Sequence, residues 1–87
     1  MKYIDVDEVK LLNFYKTISN NVVRIRKERN ISQLELATSI GYTSSTFLGK
    51  AELLSENKHF NLAHLYKIAL ALDIDMNEFF KDVVTKK

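Results

Sequence analysis

The chain has 87 residues, 46% of them hydrophobic, and a formal net charge of +2. That length allows one domain with one modest core, and that hydrophobic share excludes disorder over most of it. Cys is absent, which excludes a disulfide framework and a thiolate metal site, and so small a net charge does not by itself argue for nucleic acid. Pro is also absent and Gly occurs only twice. Apolar residues recur at helical spacing nearly throughout, so the chain reads as all-α. No apolar run approaches the length of a membrane span, and the N-terminus lacks a signal-peptide pattern. The expectation is a cytoplasmic protein with no membrane partner.

In chain order, MKYIDV at the start suits an extended arm, because Tyr3, Ile4 and Val6 favour strands. Leu11, Phe14 or Tyr15, Ile18, Val22 and Ile25 then mark one face of a helix from about Asp7 to Arg29, with Asn30 ending it. Ser32 and Glu35 form a capping box ahead of Leu36, Ala37 and Ile40, which predicts a second helix over 33–40. Gly41 sits where a helix stops in the left-handed conformation. Thr43 is placed to cap a third helix over 44–53, with Tyr42 and Phe47 as its hydrophobic staple. Two capped helices joined by a turn of about three to four residues containing Gly form a helix-turn-helix unit.

Leu54 to Phe60 reads as a polar loop. Asn61 caps a fourth helix, with Phe60 and Leu65 as its staple and Leu62, Leu65, Ile68, Ala69 and Leu72 as its buried face. Asp75 and Glu78 make a further capping box, with Ile74 and Phe79 as staple, and predict a fifth helix ending near Val84. Lys86 and Lys87 read as a frayed tail. The organisation expected is an N-terminal extension of helix one over 1–17, a domain over 18–84 and a tail over 85–87.

From Ile18 to Phe80 the sequence resembles phage-repressor-type helix-turn-helix domains, the group of the lambda and 434 repressors and the Xre-like regulators. The residues that carry the resemblance are IRKERNISQLELATSIG (Ile25 to Gly41), Glu52, and LAHLYKIALALDIDMNEFF (Leu62 to Phe80). The resemblance implies a five-helix, lambda-repressor-like fold with an N-terminal helical extension. It also implies sequence-specific binding to double-stranded DNA as a homodimeric transcription regulator, a repressor above all, with helix 44–53 in the major groove.

The same resemblance distributes the contacts. Ser44, Ser45 and Thr46 fall where the family meets base edges, since hydroxyl groups donate or accept there. Gln33, the first residue of the second helix, falls where the family binds a backbone phosphate, aided by the helix dipole. Thr43, Lys50, Asn57 and Lys58 are further phosphate candidates, and Arg24, Arg26, Lys27 and Arg29 add a basic cluster before the unit. Thr43 has capping as its simpler role. Arg26 and Glu52 match a structural ion pair between the first and third helices. There the Arg fork binds the carboxylate and keeps a donor for phosphate.

Some residues depart from the family pattern. Glu52 comes one residue late after Gly41, about two more residues separate it from Leu62, and LLSENKHFN replaces the usual Gly and Pro. Gly49 stands where relatives carry a long polar reader, at a cost of roughly 1 kcal/mol relative to Ala; its use would be a close approach to DNA or to another helix. Enzyme readings are poor. His59 and His64, five apart without Cys or a nearby Asp, make no zinc pattern, and His64 reads as a surface residue. No cofactor or metal is expected.

The segment Asp7–Thr17 and the C-terminal Phe79, Phe80, Val83 and Val84 are candidate dimer surfaces or parts of a monomer core. Without a ligand-sensing domain, control would fall to a regulatory protein partner, to concentration or to proteolysis. Two other functions fit the sequence: the antitoxin of a toxin–antitoxin pair, and a protein-interaction module that has lost DNA binding.

Overall fold

The structure is a computed structural model and describes residues 2–84. The tail predicted over 85–87 lies outside the described residues. The described residues form four α-helices and two short 3-10 helices, with no strand among them. Residues 2–7 are exposed and non-helical.

Helix α1 spans Glu8–Glu28. Asp7 caps it, its Oδ1 accepting from the Val9 N–H at 2.9 Å and the Lys10 N–H at 3.3 Å. The helix runs through position 17 without a break. It stops where Asn30 turns left-handed, φ +57°, and the Ile31 N–H returns to the Arg26 carbonyl.

Helix α2 spans Gln33–Ser39 and opens on the Ser32–Glu35 capping box. The Glu35 N–H donates to Ser32 Oγ at 3.0 Å, and the Ser32 N–H to Glu35 Oε1 at 3.1 Å. Gly41, at φ +101°, reverses the chain after it.

Helix α3 spans Thr46–Leu53 and begins later than the predicted Ser44. Its N-cap residue is Ser45, and Thr43 is an exposed turn residue that caps nothing. The Ser44 hydroxyl accepts from the Thr46 N–H at 3.4 Å and donates to Thr46 Oγ1 at 3.2 Å. Such local side-chain bonds compete with the helical pattern, so Ser44 and Ser45 stay in the turn. Tyr42 and Phe47 nevertheless stack, centroids 5.0 Å apart.

Leu54 ends α3 in the left-handed region, and the 3-10 helix Ser55–Asn57 forms within the expected polar loop. Helix α4 spans Leu62–Leu72, with Asn61 as cap. Leu65, Ile68, Ala69 and Leu72 are buried, but Leu62 is 71% exposed: the core covers α4 only from Leu65 onward.

The fifth predicted helix is instead a 3-10 helix, Met76–Phe80. The expected Asp75–Glu78 box does not form. The Asp75 carboxylate accepts from the Asn77 N–H at 2.8 Å, and the Glu78 N–H goes to the Asp75 carbonyl. Asn21 of α1 donates to the carbonyls of Phe79 and Lys81 at 2.9 and 2.8 Å. An α-helix running on toward Val84 would need the Phe79 carbonyl for the Val83 N–H, which bonds to Phe80 instead.

The core joins the four α-helices and the last 3-10 helix. Val22 from α1, Leu36 from α2, Leu48 from α3, Leu65 and Ile68 from α4, and Phe79 from the last 3-10 helix have at most 1% exposure. Helix α1 lies against α3 and the last 3-10 helix, and α2 lies against α4. Of the two candidate dimer surfaces, Phe79 belongs to this core, whereas Glu8–Asn13 is exposed throughout. No helix among the described residues is long and apolar enough to cross a membrane.

Candidate nucleic-acid interface

Helices α2 and α3 are held together at their base by one carboxylate. Glu52, in the last turn of α3, accepts from Arg26 Nε at 2.8 Å and Arg26 Nη2 at 3.0 Å, a two-pronged bond. Arg26 Nη1 donates to the Ile31 carbonyl at 2.9 Å, and the whole residue is 8% exposed. The guanidinium thus spends all its nitrogens inside the protein. Three of its five N–H groups are used in these bonds, and the side chain is only 10% exposed, which leaves little surface for the phosphate contact expected of Arg26.

Gln33 joins the same carboxylate. Its Nε2 donates to Glu52 Oε1 at 2.8 Å, so the first residue of α2 is tied to the end of α3. Its amide also lies over Gly49: a Cβ built there would meet Gln33 Oε1 at 3.6 Å, an ordinary contact. No described residue therefore comes close enough to require glycine at position 49. Gln33 remains half-buried at the surface of the unit.

The outward side of α3 follows from helical spacing. Leu48 and Ala51 face the core, with Glu52 beside them. Thr46, Lys50 and Leu53 lie on the opposite side, at i, i+4 and i+7. Leu53 is 81% exposed. Sequence reasoning passed over it; its signal was this spacing from Thr46. Of the predicted base readers, Thr46 alone is in the helix, while Ser44 is exposed and Ser45 half-buried in the turn before it.

The predicted phosphate ligands are scattered. Lys50 pairs with Glu56, whose carboxyl it holds below the usual range by its hydrogen bond and charge. Asn57 and Lys58 are exposed on the neighbouring loop. In the basic cluster, Arg24 pairs with Glu28 at 3.2 Å. Arg29 donates to the Leu72 carbonyl. Lys27 and Arg29 are both exposed with no ion pair among the described residues.

The two histidines have structural partners. His59 stacks on Tyr15 of α1, centroids 4.1 Å apart. His64 is not the surface residue expected. It is half-buried beside Phe47, with centroids 4.5 Å apart, and completes the α4 cap. Its Nδ1 accepts from the Asn61 N–H at 3.0 Å, and the His64 N–H donates to Asn61 Oδ1 at 2.7 Å. With Nδ1 accepting, the neutral ring carries its proton on Nε2 and donates to Tyr42 Oη at 3.0 Å. Burial, then the charges of Lys67 and His59, hold its pKa below the ordinary 6.5.

Among the described residues, no group of three or more His, Asp or Glu is placed to hold a metal. Comparison of the chain with protein-family models, with curated proteins and with solved structures finds no match.

Proposed function

We propose that this protein binds double-stranded DNA in a sequence-specific manner and regulates transcription as a phage-repressor-type helix-turn-helix domain, with α3 in the major groove. The observation that carries the reading is the Glu52 carboxylate joining Arg26 of α1, Gln33 at the start of α2 and α3 itself. It fixes two helices of a helix-turn-helix unit rigidly to each other and leaves the far side of α3 to solvent. A reader of base edges needs such rigidity, because its side chains must meet donor and acceptor positions within hydrogen-bond distance.

Thr46, Lys50 and Leu53 form the reading face, with Ser44 at its edge. Thr46 and Ser44 donate or accept at base edges, and Leu53 offers an apolar contact to a thymine methyl. Lys50 turns to phosphate by exchanging its exposed Glu56 partner. Lys58 and Asn57 contact phosphate from the following loop, and Gln33 does so with its second amide N–H. These phosphate contacts position the domain, and the α3 face specifies the site.

The test is fluorescence anisotropy with labelled duplexes across a salt series, paired with selection of bound sites from a random duplex pool. Affinity is expected to fall linearly with salt on logarithmic axes, with a slope of about −0.9 per phosphate neutralised. Thr46→Ala with Leu53→Ala is expected to change the preference at one or two positions of each half-site. A second reading, a protein-interaction module, is favoured by Leu62, Tyr66 and Leu70, an exposed apolar stripe along α4. Absence of duplex binding even at low salt would favour that reading instead.

A further inference from the structure

We infer that the protein self-associates through the first two turns of α1, packed antiparallel on the same turns of a second copy about a two-fold axis at Leu12. Helix α1 has 21 residues, a length of about 32 Å. Its C-terminal part is sheathed by α3 and the last 3-10 helix, but Glu8 to Asn13 projects uncovered. This free part is not polar. Val9 is 68% and Leu12 55% exposed, and Tyr3, Ile4 and Val6 lie exposed just before it. Ile4 and Val6 line a cavity with Lys10, Asn13 and Phe14 on the other side of α1, so Val9 and Leu12, with Leu11 at the edge, form the apolar patch beside Glu8 and Lys16.

The charges choose the occupant and its direction. Glu8 and Lys16 are both exposed and lie four residues either side of Leu12, on the same side of the helix. Antiparallel pairing about Leu12 sets Glu8 of each copy against Lys16 of the other, twice by symmetry. Parallel pairing would set Glu8 against Glu8 and Lys16 against Lys16. Beside Leu12 a notch lined by Tyr15, Leu54, Lys58 and His59 receives the second helix.

This interface deepens the DNA-binding reading, on which only its spacing consequence rests. Helix α3 docks on α1 between Ser19, whose Oγ donates to the Ala51 carbonyl at 3.0 Å, and Arg26. The midpoint, near Val22, is ten residues from Leu12, or about 15 Å along the helix. Two copies then hold their α3 helices about 30 Å apart along α1, close to the ~34–36 Å between successive major-groove half-sites.

Self-association is measured without DNA. The chain has no Cys, so Leu12→Cys introduces a single thiol that the two-fold axis places beside its own copy. Mild oxidation is expected to give a covalent dimer rapidly, and Leu70→Cys, on the equally exposed α4 stripe, is not. In sedimentation equilibrium Glu8→Lys or Lys16→Glu is expected to weaken the dimer about tenfold or more, each turning two attractions into repulsions. The double swap is expected to restore it, with helical circular dichroism unchanged across the set. A parent that stays monomeric, a double swap no better than the singles, or faster cross-linking at Leu70→Cys overturns the interface. A monomer that still binds duplex DNA would refute this interface alone, whereas a dimer indifferent to DNA would refute the DNA-binding reading alone.

Discussion

Replacing Glu52 by Ala removes the acceptor for three hydrogen bonds at once. Two come from Arg26 and one from Gln33, at 2.8 to 3.0 Å. Arg26 keeps only its bond to the Ile31 carbonyl and remains at 8% exposure, a buried cation with no counter-charge. Breaking a buried pair this way costs about 3–5 kcal/mol. Gln33 lies half-exposed and finds water in place of its lost partner, so the lower end, about 3 kcal/mol, is expected. For a domain of this size that corresponds to a melting temperature lowered by roughly 12–24 °C. Glu52→Gln keeps an acceptor oxygen but not the charge, and about half the loss is expected. The exposed Arg24–Glu28 pair supplies the comparison, because Glu28→Ala is expected to cost no more than about 0.5 kcal/mol. Urea titrations followed by circular dichroism measure all three. If Glu52→Ala proved no more damaging than Glu28→Ala, the carboxylate would not hold the unit together. The rigidity proposed for α3 would then lack its cause.

The two glycines are expected to respond with opposite signs. Gly49→Ala meets only an ordinary contact with Gln33 inside a helix and is expected to stabilise by up to about 1 kcal/mol. Gly41→Ala has open space but a φ of +101°, and thermal melts are expected to show a loss of about 1–3 kcal/mol. Asn21→Ala strips the bonds to the Phe79 and Lys81 carbonyls and is expected to cost about 1–3 kcal/mol. Amide exchange should then speed up first in Met76–Phe80; uniform protection across that segment would show that Asn21 does not restrain it. His64 has its folded pKa held below 6.5, so the unfolded chain takes up the proton first as pH falls. Stability is therefore full above about pH 6.5, declines from there down to the lower folded value, and levels off below it. Melting temperatures of the parent and of His64→Gln, measured between about pH 7.5 and 5.5, should converge if His64 causes the decline; parallel curves would assign it elsewhere.

Helix positions and several helix ends were legible in the sequence because their signals are local. The Ser32–Glu35 box, the Asn61 cap and the left-handed Gly41 each act within four residues, so the identities of neighbours suffice. The apolar period also placed Val22, Leu36, Leu65, Ile68 and Leu72 inside, since a helix with such a stripe must bury it. At Ser44 one local signal displaced another, because its hydroxyl takes the Thr46 N–H and delays α3. Asn21, fifty-eight residues before Phe79, takes the carbonyl a fifth helix needed. Partners across elements were beyond any local rule. Lys50 is held by Glu56, Gln33 by Glu52, and His64 by Tyr42. Leu62 carried the apolar signal of a core residue and lies in solvent. Periodicity states which side of a helix is apolar, but only the docking of the other helices decides how far along that side the core extends, because burial is a property of what covers a residue.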